Sequence, residues 1–219
     1  MIKGAIFDMD GTLLDSMYIW RNFGEIYLRA RGIDPRKDTG DLYRKYGYRR
    51  ASEFFRDEFG LEVCQEDFIA EARAILQQYY EDEVGLKPGA GNFLERMRSM
   101  GVEMCLATAT DEVMVRPAFK RLGIEEYFSG ILTCSGVGKG KTDPLIYRKS
   151  LELLGTEKGK TPVFEDAFYA AKTAKNDGFV LAGVWDENED EREAVEAISD
   201  IFIRDYLDLS DYWKTVENL

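Results

Sequence analysis

Gly4-Ala5-Ile6-Phe7-Asp8-Met9-Asp10-Gly11-Thr12-Leu13-Leu14 is the stretch that decides the fold of this chain. Gly4–Phe7 shows no polar alternation, as expected of a parallel strand covered on both faces. Two aspartates follow at once, and then an Asp-Gly turn pair. On a continuing strand Asp8 and Asp10 would point to opposite faces. Because the chain turns at Gly11, both can instead reach one crevice at the strand's carboxyl end, where open α/β sheets bind ligands. Taken alone, the same residues also read as an ordinary loop closed by an Asp-Gly turn.

Beyond this stretch, short apolar runs alternate with amphipathic patterns, which predicts a parallel sheet with crossover helices. The further strands are expected at Val102–Ala107, Gly130–Thr133, Pro162–Phe164, Phe179–Val184 and Asp200–Ile203. Helical stripes lie between them: Phe93, Leu94, Met97 and Met100; Val115, Ala118, Phe119 and Leu122; Leu151 and Leu154. Asp143-Pro144 reads as an N-cap followed by proline in the first helical position.

From Ser16 to Val84 the rhythm changes to helix alone. Ile19, Trp20, Phe23, Ile26 and Tyr27 form one stripe; Phe68, Ile69, Ala72, Ile75, Leu76 and Tyr79 form another. Gly85, Pro88, Gly89 and Gly91 punctuate the return. The expected architecture is α/β: a doubly wound, Rossmann-like core of residues 1–15 and 86–219, with an inserted helical cap at 16–85.

The 219 residues, 45% hydrophobic and 32% charged, fit a globular protein able to bury a sizeable core. No run approaches the roughly 20 apolar residues of a membrane span, and no signal-peptide pattern opens the chain, so a cytoplasmic location is expected. The net charge of −12 argues against nucleic-acid and membrane partners. Of the three cysteines, Cys105 and Cys134 lie in apolar, strand-like runs and read as buried free thiols, while Cys64 has no metal or redox spacing. The chain contains no histidine, which removes Ser-His-Asp and Cys-His catalysis and leaves carboxylates as the proton-transfer groups.

Each core strand also ends in a polar residue suited to phosphate chemistry. Thr108 supplies a neutral hydroxyl, Lys141 a cation after a glycine-rich loop, and Glu165-Asp166 the paired carboxylate of a hard-cation site. Singly, each is an ordinary loop or helix-start residue; together, at corresponding strand ends, they make a constellation.

That set resembles the haloacid dehalogenase superfamily of phosphohydrolases, in the branch with a helical cap after the first strand. The four motifs are Phe7-Asp8-Met9-Asp10-Gly11-Thr12-Leu13-Leu14-Asp15-Ser16, Leu106-Ala107-Thr108-Ala109-Thr110, Gly140-Lys141-Thr142-Asp143-Pro144-Leu145-Ile146-Tyr147 and Val163-Phe164-Glu165-Asp166-Ala167. Thr142 stands where the family usually has proline, and Ala170 where glycine commonly follows the acidic pair. The resemblance implies Asp8 as nucleophile and Asp10 as general acid and base. It also implies Mg²⁺ on Asp8, the Asp10 carbonyl and Asp166, with Glu165 directly or through water. Thr108 and Lys141 would bind phosphoryl oxygens. The expected reaction is hydrolysis of a small phosphorylated metabolite, such as a sugar phosphate, with no obligate protein partner.

In the cap, Arg44, Lys45, Arg49 and Arg50 flank Tyr46-Gly47-Tyr48. They read either as a solvated cationic face or as a specificity loop, Arg50 matching the spacing of a phosphate-holding arginine in sugar-phosphate mutases. Ser16, Trp20 and Thr110 complete the candidate substrate contacts. Those mutases carry a histidine twelve residues after the nucleophile; here that position is Trp20, which favours a phosphatase over a β-phosphoglucomutase-like transferase. Two other readings remain. Ser135-Gly136-Val137-Gly138-Lys139-Gly140-Lys141-Thr142 nearly matches a P-loop, lacking its first glycine, and a silent phosphometabolite-binding module would share the same fold.

Overall fold

The computed structural model describes residues 2–35, 39 and 42–216, with only the backbone described for residues 42–49. In chain order the elements are β1 (Gly4–Phe7), β2 (Leu14–Asp15), α1 (Met17–Ala30), α2 (Leu42–Phe59), α3 (Gln65–Asp82), β3 (Gly85–Leu86), α4 (Ala90–Ser99), β4 (Glu103–Thr108) and α5 (Glu112–Leu122). There follow β5 (Gly130–Thr133), α6 (Cys134–Val137), α7 (Leu145–Leu154), β6 (Val163–Glu165), α8 (Phe168–Asn176), β7 (Leu181–Val184), α9 (Arg192–Ile198), β8 (Ile201–Ile203) and α10 (Ser210–Val216). Two compact units result: Met1–Asp15 with Val84–Leu219, and Ser16–Glu83.

In the first unit six parallel strands run in the order β5-β4-β1-β6-β7-β8. The chain builds outward from β1 to β5 and then crosses back to β6 on β1's other flank. That reversal puts the carboxyl end of β1, and so Asp8, at the switch point where such sheets open a crevice. Successive residues feed opposite faces. Ile6, Cys105, Ala107 and Val163 pack with Ile146 and Tyr147 of α7. Phe7 stacks on Phe164 at 4.2 Å, and Phe164 meets Phe93 of α4 and Tyr212 of α10. All these side chains are buried, and truncating an aromatic such as Phe164 to alanine costs about 3–5 kcal/mol.

A feature absent from the sequence reading is a second, two-stranded sheet. Antiparallel β2 and β3 pair Leu14 with Leu86 and Asp15 with Gly85. Two-residue strands carry too little pattern to be seen, and this pairing joins segments about seventy residues apart in sequence. The Asp143 cap is present: its Oδ1 accepts the Leu145 N–H at 3.0 Å, although the helix is assigned from Leu145, a one-residue difference of the usual kind. Cys134 departs from expectation. It is only partly buried and opens the short helix α6, because Thr133 already ends the strand by capping the Gly136 N–H at 3.0 Å.

The second unit contains α1, α2 and α3. The Tyr27 ring lies 5.3 Å from Phe55 and 4.7 Å from Phe68, so all three helices meet at one aromatic cluster. Its hydroxyl donates to Glu71 Oε2 at 2.7 Å, and Glu71 also pairs with Arg31. The buried positions of α1 and α3 include Leu28 and Tyr80 where the stripes had Ile26 and Tyr79. Both changes move the stripe by one or two residues, toward the side that tertiary contacts select. Among the described residues no helix is long and apolar enough to cross a membrane.

Candidate active site

Asp8 follows β1 directly, its N–H held by the Phe164 carbonyl at 3.0 Å. The next residues close a tight turn: the Leu13 and Leu14 N–H groups both donate to the Met9 carbonyl, at 2.9 and 2.8 Å. Gly11 adopts φ 76° at its centre, a conformation that costs side-chain-bearing residues and not glycine.

Into this turn project groups from two other strand ends, those of β4 and β6, and from the loop after α6, so that Lys141 does not stand at a strand end as its sequence position suggested. Lys141 Nζ donates to Asp8 Oδ1, and to Glu165 Oε1 at 2.6 Å. Tyr147 of α7 donates its hydroxyl to the same Glu165 oxygen at 2.8 Å. Thr12 Oγ1 donates to Asp166 Oδ1 at 2.9 Å. The Thr110 N–H donates to Thr108 Oγ1 at 3.0 Å, and Thr110 Oγ1 donates to Asp10 Oδ2 at 2.6 Å. Asp8, Asp10, Thr108, Thr110, Lys141, Glu165 and Asp166 therefore gather at the carboxyl ends of β1, β4 and β6 and in the loop after α6.

Electrostatics make this cluster unusual. Asp8, Glu165 and Asp166 are all buried, and one oxygen from each lies within 4.8 Å of the others. Burial pushes the Glu165 carboxyl up to about 8, with the Asp8 charge adding to the rise and Lys141 opposing it. Burial, reinforced by Asp8 and Glu165, likewise holds Asp166 well above the usual carboxylate range. For Lys141, burial alone would depress the ammonium, but the carboxylates of Asp8 and Glu165 outweigh it and keep it charged. If all are ionised, three carboxylates against one ammonium leave a surplus of two negative charges in a buried space.

The donor set fits a hard divalent cation. Glu165 Oε2 and Asp166 Oδ2 are buried without a hydrogen-bond partner, a costly state unless something else satisfies them. All three side chains offer oxygen, the donor that Mg²⁺ prefers, and a double positive charge matches the surplus.

The candidate residues from the helical stretch belong to the other unit. Ser16 is buried at the start of α1. Trp20 Nε1 donates to Tyr80 Oη at 2.8 Å, so its indole N–H is engaged within the helices. Arg50 is exposed on α2; the side chains of Lys45 and Arg49 lie outside the described residues. Tyr147 and Thr12 both lie within the sequence motifs, but neither is given a role by them. Thr12 lay in the decisive motif, whereas nothing in the pattern distinguishes Tyr147 from a core aromatic. The P-loop reading fails on two counts. Lys141 is committed to Asp8 and Glu165, and the segment after β5 forms only a four-residue helix that ends at Gly138.

A family model for haloacid dehalogenase-like hydrolases matches residues 2–178. The chain belongs to the haloacid dehalogenase-like hydrolase family. Among its relatives, the phosphorylated carbohydrates phosphatase of Thermotoga maritima is 28% identical over 90% of this chain and 91% of its own length. The phosphoglycolate phosphatase of Neisseria meningitidis is 25% identical over 84% of this chain and 80% of its own. A Thermotoga maritima structure assigned as a β-phosphoglucomutase superposes with a TM-score of 0.82, covering 97% of this chain and 99% of that one. At 24% identity that likeness speaks for the fold alone. Within this hydrolase the intact constellation also removes the ground for a silent binding module, since the acidic cluster, the lysine and the hydroxyls are all in place.

Proposed function

We propose that this hydrolase cleaves the phosphate monoester of a small phosphorylated metabolite, with sugar phosphates the favoured class, through an aspartyl phosphate on Asp8. One observation carries the reading: a carboxylate at the switch point, oriented by a buried ammonium and flanked by two carboxylates with unsatisfied oxygens. The carbohydrate-phosphate and phosphoglycolate activities named for the relatives support the substrate class.

Each residue then has a task. Lys141 holds one Asp8 oxygen and supplies positive charge where an anionic phosphoryl group must approach. Attack by Asp8 displaces the alcohol and divides a difficult displacement into two easier ones. Asp10, its carboxyl oriented by Thr110, gives a proton to the leaving oxygen and later takes one from the attacking water. Thr108 accepts the Thr110 N–H, which directs its own hydroxyl proton elsewhere, toward a phosphoryl oxygen. Asp8, Glu165, Asp166 and the Asp10 carbonyl would hold Mg²⁺, which when bound offsets the repulsion between the carboxylate nucleophile and the anionic ester.

Hydrolysis is favoured over transfer within one sugar because the chain has no histidine, and Trp20 stands at the hinge position where a mutase needs one. An indole cannot exchange protons near neutral pH. The Trp20 N–H is also engaged by Tyr80. The deciding assay incubates the protein with Mg²⁺ and a panel of phosphorylated metabolites that includes hexose 1-phosphates with a trace of bisphosphate. Free phosphate should accumulate; rapid isomerisation with little phosphate released would overturn the reading.

A further inference from the structure

Tyr206 lies beyond the part of the chain that the family model matches, in the loop between β8 and α10. It is nevertheless wired to the acidic cluster. Its buried hydroxyl donates to the Thr12 carbonyl at 3.1 Å, and the Thr12 hydroxyl donates to Asp166 Oδ1 at 2.9 Å. Thr12 is fully buried, so both bonds are shielded from water. We propose that Tyr206 is a positioning residue for the metal site: through Thr12 it sets which Asp166 oxygen faces a divalent cation. This inference rests on the metal-dependent reading above.

The physical case has three parts. First, Asp166 has two equivalent oxygens, and only one of them, Oδ1, is engaged by Thr12; Oδ2 is left for a ligand. A hydroxyl that fixes the carboxylate rotamer decides that division, and hydrogen bonds to metal-ligating carboxylates commonly matter by roughly 10- to 100-fold in affinity. Second, Thr12 sits just past Gly11 in a tight turn of positive φ. A turn has alternative conformations, and an external donor on its carbonyl selects one of them. Third, Tyr206 is itself rigidly placed. Its ring lies 5.2 Å from Phe93, and its backbone lies directly against Gly89, where a Cβ would come within 2.6 Å of the Tyr206 carbonyl carbon and oxygen. Gly89 also has φ 84°. Only glycine allows this approach, so the start of α4 and the C-terminal loop are locked together. The donor is thus held from behind, as a positioning group must be.

The test is a Mg²⁺ binding titration by calorimetry on the whole protein without substrate, paired with activity measured against Mg²⁺. The variants are Tyr206→Phe, Thr12→Val and the double variant. Tyr206→Phe keeps the ring and its packing and removes only the hydroxyl. We expect it to raise the half-saturating Mg²⁺ concentration roughly 3- to 10-fold, and Thr12→Val to raise it by about 10-fold or more. KM for the ester at saturating Mg²⁺ should stay near the wild-type value. Because Tyr206 acts through Thr12, adding Tyr206→Phe to Thr12→Val should weaken binding by less than it does in the wild type. Wild-type Mg²⁺ affinity in a folded Tyr206→Phe variant would overturn the proposal while leaving the metal site standing. Full additivity in the double variant would also overturn it, because the two side chains would then act independently. A wild-type protein that binds no Mg²⁺ would remove the metal reading and this inference together.

Discussion

Lys141 Nζ stands 2.6 Å from Glu165 Oε1, in an ion pair whose side chains are 2% and 0% exposed. Such a pair is expensive to assemble, because both charges leave water, and expensive to break, because the survivor is stranded. Here the lysine also reaches Asp8. One buried cation therefore organises the carboxylate proposed as nucleophile and one proposed for the metal.

Replacing Lys141 with methionine should expose that dependence. The variant should lose most of its turnover, and its folding stability should fall by about 3 kcal/mol at pH 9. The loss should be smaller at pH 6, where Glu165, with its carboxyl pushed up to about 8, holds a proton and needs the lysine less. Denaturant titrations at the two pH values check this; a cost independent of pH would contradict the role given to the pair.

Asp8→Asn keeps the shape of the side chain but removes the attacking charge and one metal oxygen. The purified variant should melt near the wild-type temperature, while kcat falls by more than roughly a thousandfold. Trapping of phosphate on the protein, read by intact mass, should disappear with it. Near-normal turnover in a folded Asp8→Asn protein would sink the nucleophile assignment.

Protons and Mg²⁺ compete for Glu165 and Asp166, whose carboxyls burial holds high. For Glu165 the folded value, about 8, lies above the ordinary 4.5. Its contribution to the stability of the metal-free protein is therefore complete below about pH 4.5 and is lost as pH rises through about 8. Mg²⁺ affinity runs the other way. It should tighten as pH rises, by up to roughly tenfold per pH unit for each proton displaced. Melting curves with and without Mg²⁺ from pH 6 to 9 should diverge as pH rises. A constant gap would count against metal binding by these carboxylates.

Arg50 is the described member of the basic group on α2, and it is exposed. If it grips an anionic part of the substrate, Arg50→Ala should raise KM for the natural ester about tenfold while leaving a small artificial ester almost unaffected. Equal effects on both esters would reduce Arg50 to a solvated surface charge.

What was legible in the sequence divides along a physical line. Residues 4–12 and the strand ends could be read in advance because unbroken apolar runs predict doubly covered strands. Acidic and hydroxyl residues placed straight after such runs, and a lysine after a glycine-rich loop, have few other reasons to be there. The order β5-β4-β1-β6-β7-β8 was not written in any single segment. It follows from which strand pairs with which, a matter of long-range packing.

The chain's own residue types determined the chemistry: no histidine, an aspartate pair in a turn, a lysine after a glycine-rich loop and an acidic pair at a strand end. Tertiary structure alone decided how those groups are supported. Tyr147 on Glu165, Thr12 on Asp166 and Tyr206 on Thr12 link residues 18, 154 and 194 positions apart. A hydrogen bond across such separations leaves no periodic trace, because it is set by where two strand ends and a distant loop come to rest and not by the sequence local to either partner. A sequence pattern can therefore name the groups proposed to react, while the contacts that hold them still are settled only when the sheet has closed around them.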